Sequence, residues 1–94
     1  MKLDEIDAKF QEFDAANPDI YSLFEKFTIE VINSGYKHFS ADAICHRIRW
    51  YTNIEKKRYE FKLNNNFTSR YARKFEADYP QHKGFFNLRA LHAW

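Results

Sequence analysis

The sequence contains few of the residues that break or cross-link a chain: two glycines, two prolines and one cysteine. Because glycine and proline most often interrupt helices, their scarcity predicts a mainly helical chain with few tight turns. The lone Cys45 excludes an internal disulfide, and neither a signal peptide nor a membrane-spanning apolar run is recognisable. We therefore expect a soluble protein of the cytoplasm that does not bind membranes.

The sequence also lacks the short motifs of common catalytic and metal sites. Glycine occurs only at positions 35 and 84, so there is no glycine-rich loop to hold a phosphate. The four histidines do not combine with cysteine or carboxylate residues at the usual spacing of zinc ligands. Cys45 and His46 are neighbours in a predicted helix, where adjacent side chains point in different directions. We therefore expect no enzyme activity, no cofactor and no bound metal.

Aromatic residues, by contrast, are abundant. Ten Phe, six Tyr and two Trp occur among 94 residues, and each ring can bury a large area at low entropic cost. A chain of this length supports one core, so we expect a single domain, 1–94. Within it we expect an acidic N-terminal helix (1–16), a helical core (17–79) and an aromatic C-terminal tail (80–94).

Apolar spacing and capping residues predict the first two helices. Apolar residues recur three and four positions apart from Leu3 to Phe13, which indicates a short amphipathic helix. Asn17 and Pro18 suit the start of the second helix, because asparagine caps and proline has a helical φ. Gly35 should end that helix in the left-handed conformation.

The same signals predict two further helices. Ser40 should cap the third, and the fourth should run from Thr68 to Tyr79, where Pro80 stops it. The asparagine run before Thr68 suits the corner that leads into this helix. The core-facing residues expected in the last three helices are Ile20, Leu23, Phe24, Phe27 and Val31; Ile44, Ile48 and Tyr51 or Thr52; and Tyr71, Ala72, Phe75 and Tyr79.

Two short segments have the character of strands. They are "YKHF" (36–39) and "RYEFKL" (58–63), and the second alternates apolar and charged residues with the period of a half-buried strand. The tail fits either a strand through residues 85–86 or a last helical turn through residues 88–94. The expected fold is mainly α with a small β component: about four helices plus a short hairpin or wing.

The net charge of +2 hides a strong asymmetry along the chain. Residues 1–31 hold eight Asp and Glu against three Lys, whereas residues 32–94 hold twelve Lys and Arg against five acids. A basic region of this kind favours an anionic partner, nucleic acid above all. The alternative is that the acidic and basic parts complement each other within one fold.

The predicted fourth helix carries small and basic residues on the side opposite its apolar stripe. We expect that side to be exposed, with amides at its N-terminus, which suits contacts to phosphates and base edges. The alternative is a solvated charged face without a ligand. A second basic cluster, 46–58, places arginines beside aromatic rings, although we expect Trp50 itself to pack in or at the rim of the core. The candidate nucleic-acid-binding residues are Asn65, Asn66, Ser69, Arg70, Arg73, Lys74, Lys62, Arg47 and Arg49.

The order of predicted elements over roughly residues 18–88 resembles winged-helix and helix-turn-helix proteins. In this resemblance "NNNFTSRYARKF" looks like a recognition helix, which implies binding to duplex DNA. One departure is clear: a strict helix-turn-helix joins its helices by three or four residues, whereas residues 52–66 separate the two helices here.

Three longer stretches resemble a family of small uncharacterised proteins encoded by bacterial phages and prophages. They are "FDAANPDIYSLFEKF", "YSLFEKFTIEVINSGYKHFSADAICHRIRW" and "FKLNNNFTSRYARKF". The resemblance implies a bacterial or phage-infected cytoplasm and implies no particular activity.

Three hypotheses about function follow. The first is a nucleic-acid-binding regulator or accessory factor that uses helix 68–79, with duplex DNA favoured over RNA. The second is an inhibitor or adaptor that binds a host nucleic-acid enzyme through the acidic N-terminal helix. The third is a homodimer whose aromatic residues form the interface.

Overall fold

Four α-helices make up most of the computed structural model, which describes residues 3–86. They are α1 (Leu3–Ala16), α2 (Pro18–Asn33), α3 (Ala41–Trp50) and α4 (Thr68–Asp78). α3 continues into a π-helical turn (Tyr51–Glu55), and 3-10 turns at Asn65–Phe67 and Pro80–His82 precede and follow α4. The four helices predicted from the sequence are confirmed.

The ends of the helices follow local chemistry, with one difference at Asn17. Gly35 has the predicted left-handed backbone, with φ +101°, and the Ser40 hydroxyl accepts a hydrogen bond from the Ala43 N–H at 3.3 Å. Asn17 makes no side-chain bond at the start of α2. Its side-chain nitrogen donates instead to the Phe13 carbonyl oxygen at 3.0 Å. Asn17 therefore stabilises the end of α1.

The core is formed by rings and aliphatic side chains from all four helices. In α4, Tyr71, Ala72 and Phe75 expose no surface, and the ring centroids of Phe75 and Phe24 lie 6.3 Å apart. The other predicted core residues of α2, α3 and α4 are buried or pack against this cluster. The apolar faces predicted for these helices are therefore confirmed. The radius of gyration, 13.2 Å, matches the roughly 13 Å expected for one domain of about this length.

The predicted strand at residues 58–63 does not form. The segment is a turn and an extended loop, in which the Phe61 N–H donates to the Arg58 carbonyl oxygen at 3.1 Å. A strand would place Tyr59, Phe61 and Leu63 on one face. Tyr59 is instead 72% exposed while Leu63 is buried, so the alternation in the sequence does not reflect a pleated surface.

The predicted strand at residues 36–39 is also absent. One backbone bond, from the Phe39 N–H to the Phe85 carbonyl oxygen at 3.2 Å, joins this segment to the turn after α4. A single hydrogen bond does not make the repeated pairing of a β-sheet, and an extended segment without a paired strand is not stable. Within residues 3–86 the domain is all α, so the predicted β component and the winged-helix architecture are wrong there.

The C-terminal tail is described only as far as residue 86. Phe85 and Phe86 lie in a turn and are buried, so the strand predicted through them is wrong. The alternative helical turn through residues 88–94 falls outside the described residues. No helix between residues 3 and 86 is long and apolar enough to cross a bilayer.

We expect Cys45 to react with iodoacetamide far more slowly in the folded protein than in urea. Its side chain is fully buried, and burial raises the pKa of its thiol, whereas the reagent attacks an accessible thiolate. Mass spectrometry of samples quenched over time would measure both rates. Equal rates in buffer and in urea would contradict the buried position of α3.

Candidate nucleic-acid interface

Arg70, the central residue of the predicted binding helix, is buried against α1. Its Nε donates to the Asp7 carboxylate at 2.9 Å, and its Nη1 donates to the Ser69 hydroxyl at 3.1 Å and the Asn66 carbonyl oxygen at 3.4 Å. Only 9% of Arg70 is exposed. The expectation that Arg70 lies on an exposed face is therefore wrong.

The position of α1 explains this burial. Phe10 of α1 packs edge-on against Tyr71, with ring centroids 4.8 Å apart, and against Phe67 at 5.5 Å. These contacts bring the polar side of α1 next to the start of α4. A helical projection of α4 by itself leaves Arg70 outside the apolar stripe and gives no sign of the second helix that covers it.

Lys74 is likewise directed towards the N-terminal half of the chain. Its ammonium group forms an ion pair with Asp14 of α1 and lies 4.1 Å from the centroid of the Tyr21 ring in α2. The Tyr21 hydroxyl donates in turn to the Asp78 carboxylate at 2.5 Å. The pKa of Tyr21 is raised, mainly by burial and secondly by this hydrogen bond. Lys74 therefore contributes to the joint between α1, α2 and α4.

The remaining predicted residues near α4 are more accessible. Arg73 and Asn66 are exposed, and Ser69 is half-buried. The Asn64 side chain accepts from the Asn66 N–H at 2.8 Å and so shapes the 3-10 turn before α4, as the asparagine run predicts. With Arg70 and Lys74 bound to α1, α4 does not present the continuous basic face that insertion into a groove requires.

Ion pairs join the acidic N-terminal half of the chain to the basic remainder. Such pairs include Asp7 with Arg70, Asp14 with Lys74 and Asp19 with Arg58. The alternative interpretation of the charge asymmetry, acidic and basic parts that complement each other within one fold, is thus confirmed for these residues. Because Asp7 and Asp14 have internal partners, less of the acidic surface of α1 remains for an external protein.

We expect Asp7→Asn to lower the free energy of unfolding by about 1–3 kcal/mol, between the effects of surface and buried ion pairs. The substitution leaves the guanidinium of Arg70 buried without its counterion, although Asp7 itself is 49% exposed. Urea denaturation would measure the change. The matched control is Glu12→Gln on the exposed side of α1, which should stay within about 0.5 kcal/mol. Equal effects of the two substitutions would contradict a structural role for the Asp7–Arg70 pair.

Arg49, at the end of α3, closes a loop that ends just before α4. Its Nη2 donates to the Leu63 carbonyl oxygen at 3.1 Å and to the Asn65 side-chain oxygen at 2.6 Å. The structure thus brings together two predicted site residues, Arg49 and Asn65. Arg47 lies nearby in sequence but pairs with Glu55 at 2.8 Å, with its guanidinium 4.4 Å from the Phe27 ring centroid.

Residues 49–63 form a segment with its ends held together, which we call the basic–aromatic loop. Trp50, Ile54 and Tyr59 in this loop are 59%, 54% and 72% exposed. Among the described residues only one other large hydrophobic side chain, Tyr36, is classed as exposed. Three exposed apolar side chains within one short closed segment indicate an interaction surface.

The same loop carries exposed cations. They are Lys56, Lys57 and Lys62, and none of them forms a salt bridge with a carboxylate whose side chain the structure describes. Lys57 has a left-handed backbone, with φ +55°, and so forms part of the sharp bend that follows the π-helical turn. The loop therefore combines exposed rings with uncompensated positive charge.

The exposure of two residues in this loop was not predicted from the sequence. Trp50 was expected to pack, yet it is exposed, and its position two residues after Ile48 puts it off the buried stripe of α3. Tyr59 was assigned to the inner face of a strand that does not form. The basic character of residues 46–58 was the available signal for this surface.

The described residues offer no obvious metal site. No three His, Cys, Asp or Glu side chains in residues 3–86 come together in a way that could hold a metal ion.

Comparisons with known proteins do not assign the chain to a family. No family model matches it, and no curated protein or solved structure is significantly similar to it. The surface itself is therefore the basis for inferring function.

Proposed function

We propose that this protein binds nucleic acid through the basic–aromatic loop, as a regulator or accessory factor and not as an enzyme. The observation that carries the proposal is the combination of exposed Trp50 and Tyr59 with Lys56, Lys57 and Lys62 in one closed loop. Aromatic rings stack on bases, and lysines contact the phosphates between them.

The composition of the loop favours nucleic acid over a protein partner. Lysine is depleted from protein–protein interfaces, whereas clustered Lys and Arg are the electrostatic signature of nucleic-acid binding. The alternative, an inhibitor that uses the acidic N-terminal helix, has less support because Asp7 and Asp14 contact Arg70 and Lys74.

Single-stranded DNA or RNA is the favoured ligand within this proposal. Exposed rings stack most readily on unpaired bases, since bases in a duplex already stack on each other. The earlier expectation of duplex DNA relied on an exposed basic face of α4, and two of its three cations bind α1 and α2 instead. Of the candidate residues, Lys62 would contact phosphate, while Arg49 and Asn65 would hold the loop in shape. The resemblance to phage-encoded proteins supports a bacterial or phage setting.

The test compares two double variants that change the net charge equally. Lys56→Glu/Lys62→Glu alters the loop, and Lys9→Glu/Lys26→Glu alters exposed lysines of α1 and α2. We expect the loop variant to bind fluorescein-labelled single-stranded DNA or RNA at least tenfold more weakly in fluorescence anisotropy. Its slope of log affinity against log salt should be shallower (less negative) by about 1.4, which corresponds to two lost phosphate contacts.

The control variant should keep an affinity within about threefold of the original, because its lysines lie outside the contact surface. Equal weakening of both variants would show that only net charge matters. No binding of the unaltered protein to single strands or duplex at low salt would reject the proposal.

A further inference from the structure

A second cationic surface lies away from the basic–aromatic loop, between the segment after α2 and the 3-10 turn after α4. It is a cleft of about 270 Å³. This volume is slightly below the range of roughly 300–1,000 Å³ for clefts that hold drug-sized ligands, so a small group fits it best. Its lining includes Lys37 and His38 on one side and Gln81, His82 and Lys83 on the other. We call it the cationic cleft.

The charges that line the cationic cleft have one sign. Two lysines and two histidines line it, together with Gln81 and Tyr36, and none of the described residues in its lining is acidic. Glu76 is an acid close to the turn, and its carboxylate already accepts hydrogen bonds from the Gly84 N–H at 2.8 Å and the Phe86 N–H at 3.1 Å. With two lysines in the lining against this one nearby carboxylate, the electrostatic field of the cleft favours an anion.

Contacts with the core hold both walls in position. The His82 ring lies nearly parallel to the ring of buried Phe75, with centroids 6.3 Å apart, and the Tyr36 ring meets Phe39 edge-on at 5.3 Å. The bond between the Phe39 N–H and the Phe85 carbonyl oxygen joins the two walls at 3.2 Å. These contacts hold the His82 ring and the backbone of both walls in position, which lowers the cost of ordering the cleft around a ligand.

We propose that the cationic cleft binds a phosphate group. Lysine ammonium groups and histidine ring N–H groups donate and do not accept when charged, and a phosphate offers several acceptor oxygens to such a set. The cleft shares no residue with the basic–aromatic loop, so this proposal does not depend on the function proposed above.

The test is an NMR titration with inorganic phosphate, with sodium chloride at equal ionic strength as the reference. Saturable shifts are expected at the amides of residues 36–38 and 81–85 and at the ring signals of His38 and His82. Lys37→Glu/Lys83→Glu should weaken binding at least tenfold, whereas the control Lys9→Glu/Lys26→Glu should keep it. Shifts that sodium chloride reproduces, or that persist in the Lys37→Glu/Lys83→Glu variant, would overturn the proposal.

Two further arms identify the source of the phosphate and separate the two proposals. If a nucleoside monophosphate binds at least tenfold more tightly than inorganic phosphate, the ligand is a nucleotide phosphate; equal affinities assign free phosphate. The loop variant Lys56→Glu/Lys62→Glu should retain phosphate binding while it loses the single-stranded oligonucleotide. Loss of phosphate binding in this loop variant would contradict a separate site.

Discussion

Phe75→Ala is expected to lower the free energy of unfolding by about 3–5 kcal/mol, the usual cost of removing a buried phenylalanine ring. Phe75 exposes no surface and packs against four other rings, with centroids 4.4 Å away for Tyr79, 5.9 Å for Phe86 and 6.3 Å for both Phe24 and His82. The substitution removes the ring at which α2, α4 and the turn that contains Phe86 meet. Because the free energy of unfolding of a small domain is only about 5–15 kcal/mol, this one substitution should remove a large part of it.

Urea denaturation followed by circular dichroism would measure the effect. Phe24→Ala should cost a similar amount, because Phe24 is also fully buried and lies beside Tyr71 and Phe86. Tyr59→Ala is the control, since Tyr59 is 72% exposed, and it should stay within about 0.5 kcal/mol. A loss below about 1 kcal/mol for both phenylalanines would show that the core-facing sides of α2 and α4 are assigned wrongly.

The helices could be predicted from the sequence because their signals are local. The spacing of Ile44, Ile48 and Thr52, the cap at Ser40 and the stop at Gly35 all depend on residues within one or two turns. Local signals could not show that the two predicted strands would fail to form. Tyr59, Phe61 and Leu63 alternate as a strand would, but a strand also needs a partner from elsewhere in the chain, and residues 3–86 supply none.

The candidate site shows the same division between local and long-range information. Arg70 lies off the apolar stripe of α4, so its sequence position indicates exposure, yet Asp7, 63 residues away in the chain, binds it. The charge asymmetry between the two halves was the clue to that contact. No local pattern could decide between an external anion and an internal acid, because both satisfy the same positive charge.

The basic–aromatic loop depends on a further long-range contact. The loop bends back to α3, where Arg49 binds the Leu63 carbonyl oxygen and the Asn65 side chain. The composition of residues 46–58 predicts an affinity for nucleic acid, and the structure shows which of their side chains are accessible. Accessibility distinguishes Trp50, which can stack on a base, from half-buried Tyr51, which packs against Phe27.

Trp50→Ala/Tyr59→Ala is expected to weaken binding of single-stranded DNA or RNA by about 2–6 kcal/mol. Each base–aromatic stack contributes about 1–3 kcal/mol, and both rings are more than half exposed. The loss corresponds to at least roughly 30-fold in affinity, and fluorescence anisotropy would measure it. The salt dependence should stay unchanged, because the rings contact bases and leave the phosphate contacts to the lysines.

Trp50→Phe/Tyr59→Phe is the matched control, because it keeps two aromatic rings and removes the indole and hydroxyl groups. It should retain an affinity within about tenfold of the original, since stacking depends mainly on the ring face. An unchanged affinity after removal of both rings would mean that the lysines act alone. Binding by lysines alone depends on the charge of the nucleic-acid backbone, so duplex DNA would then bind as well as a single strand. That result would contradict the proposed preference for unpaired bases.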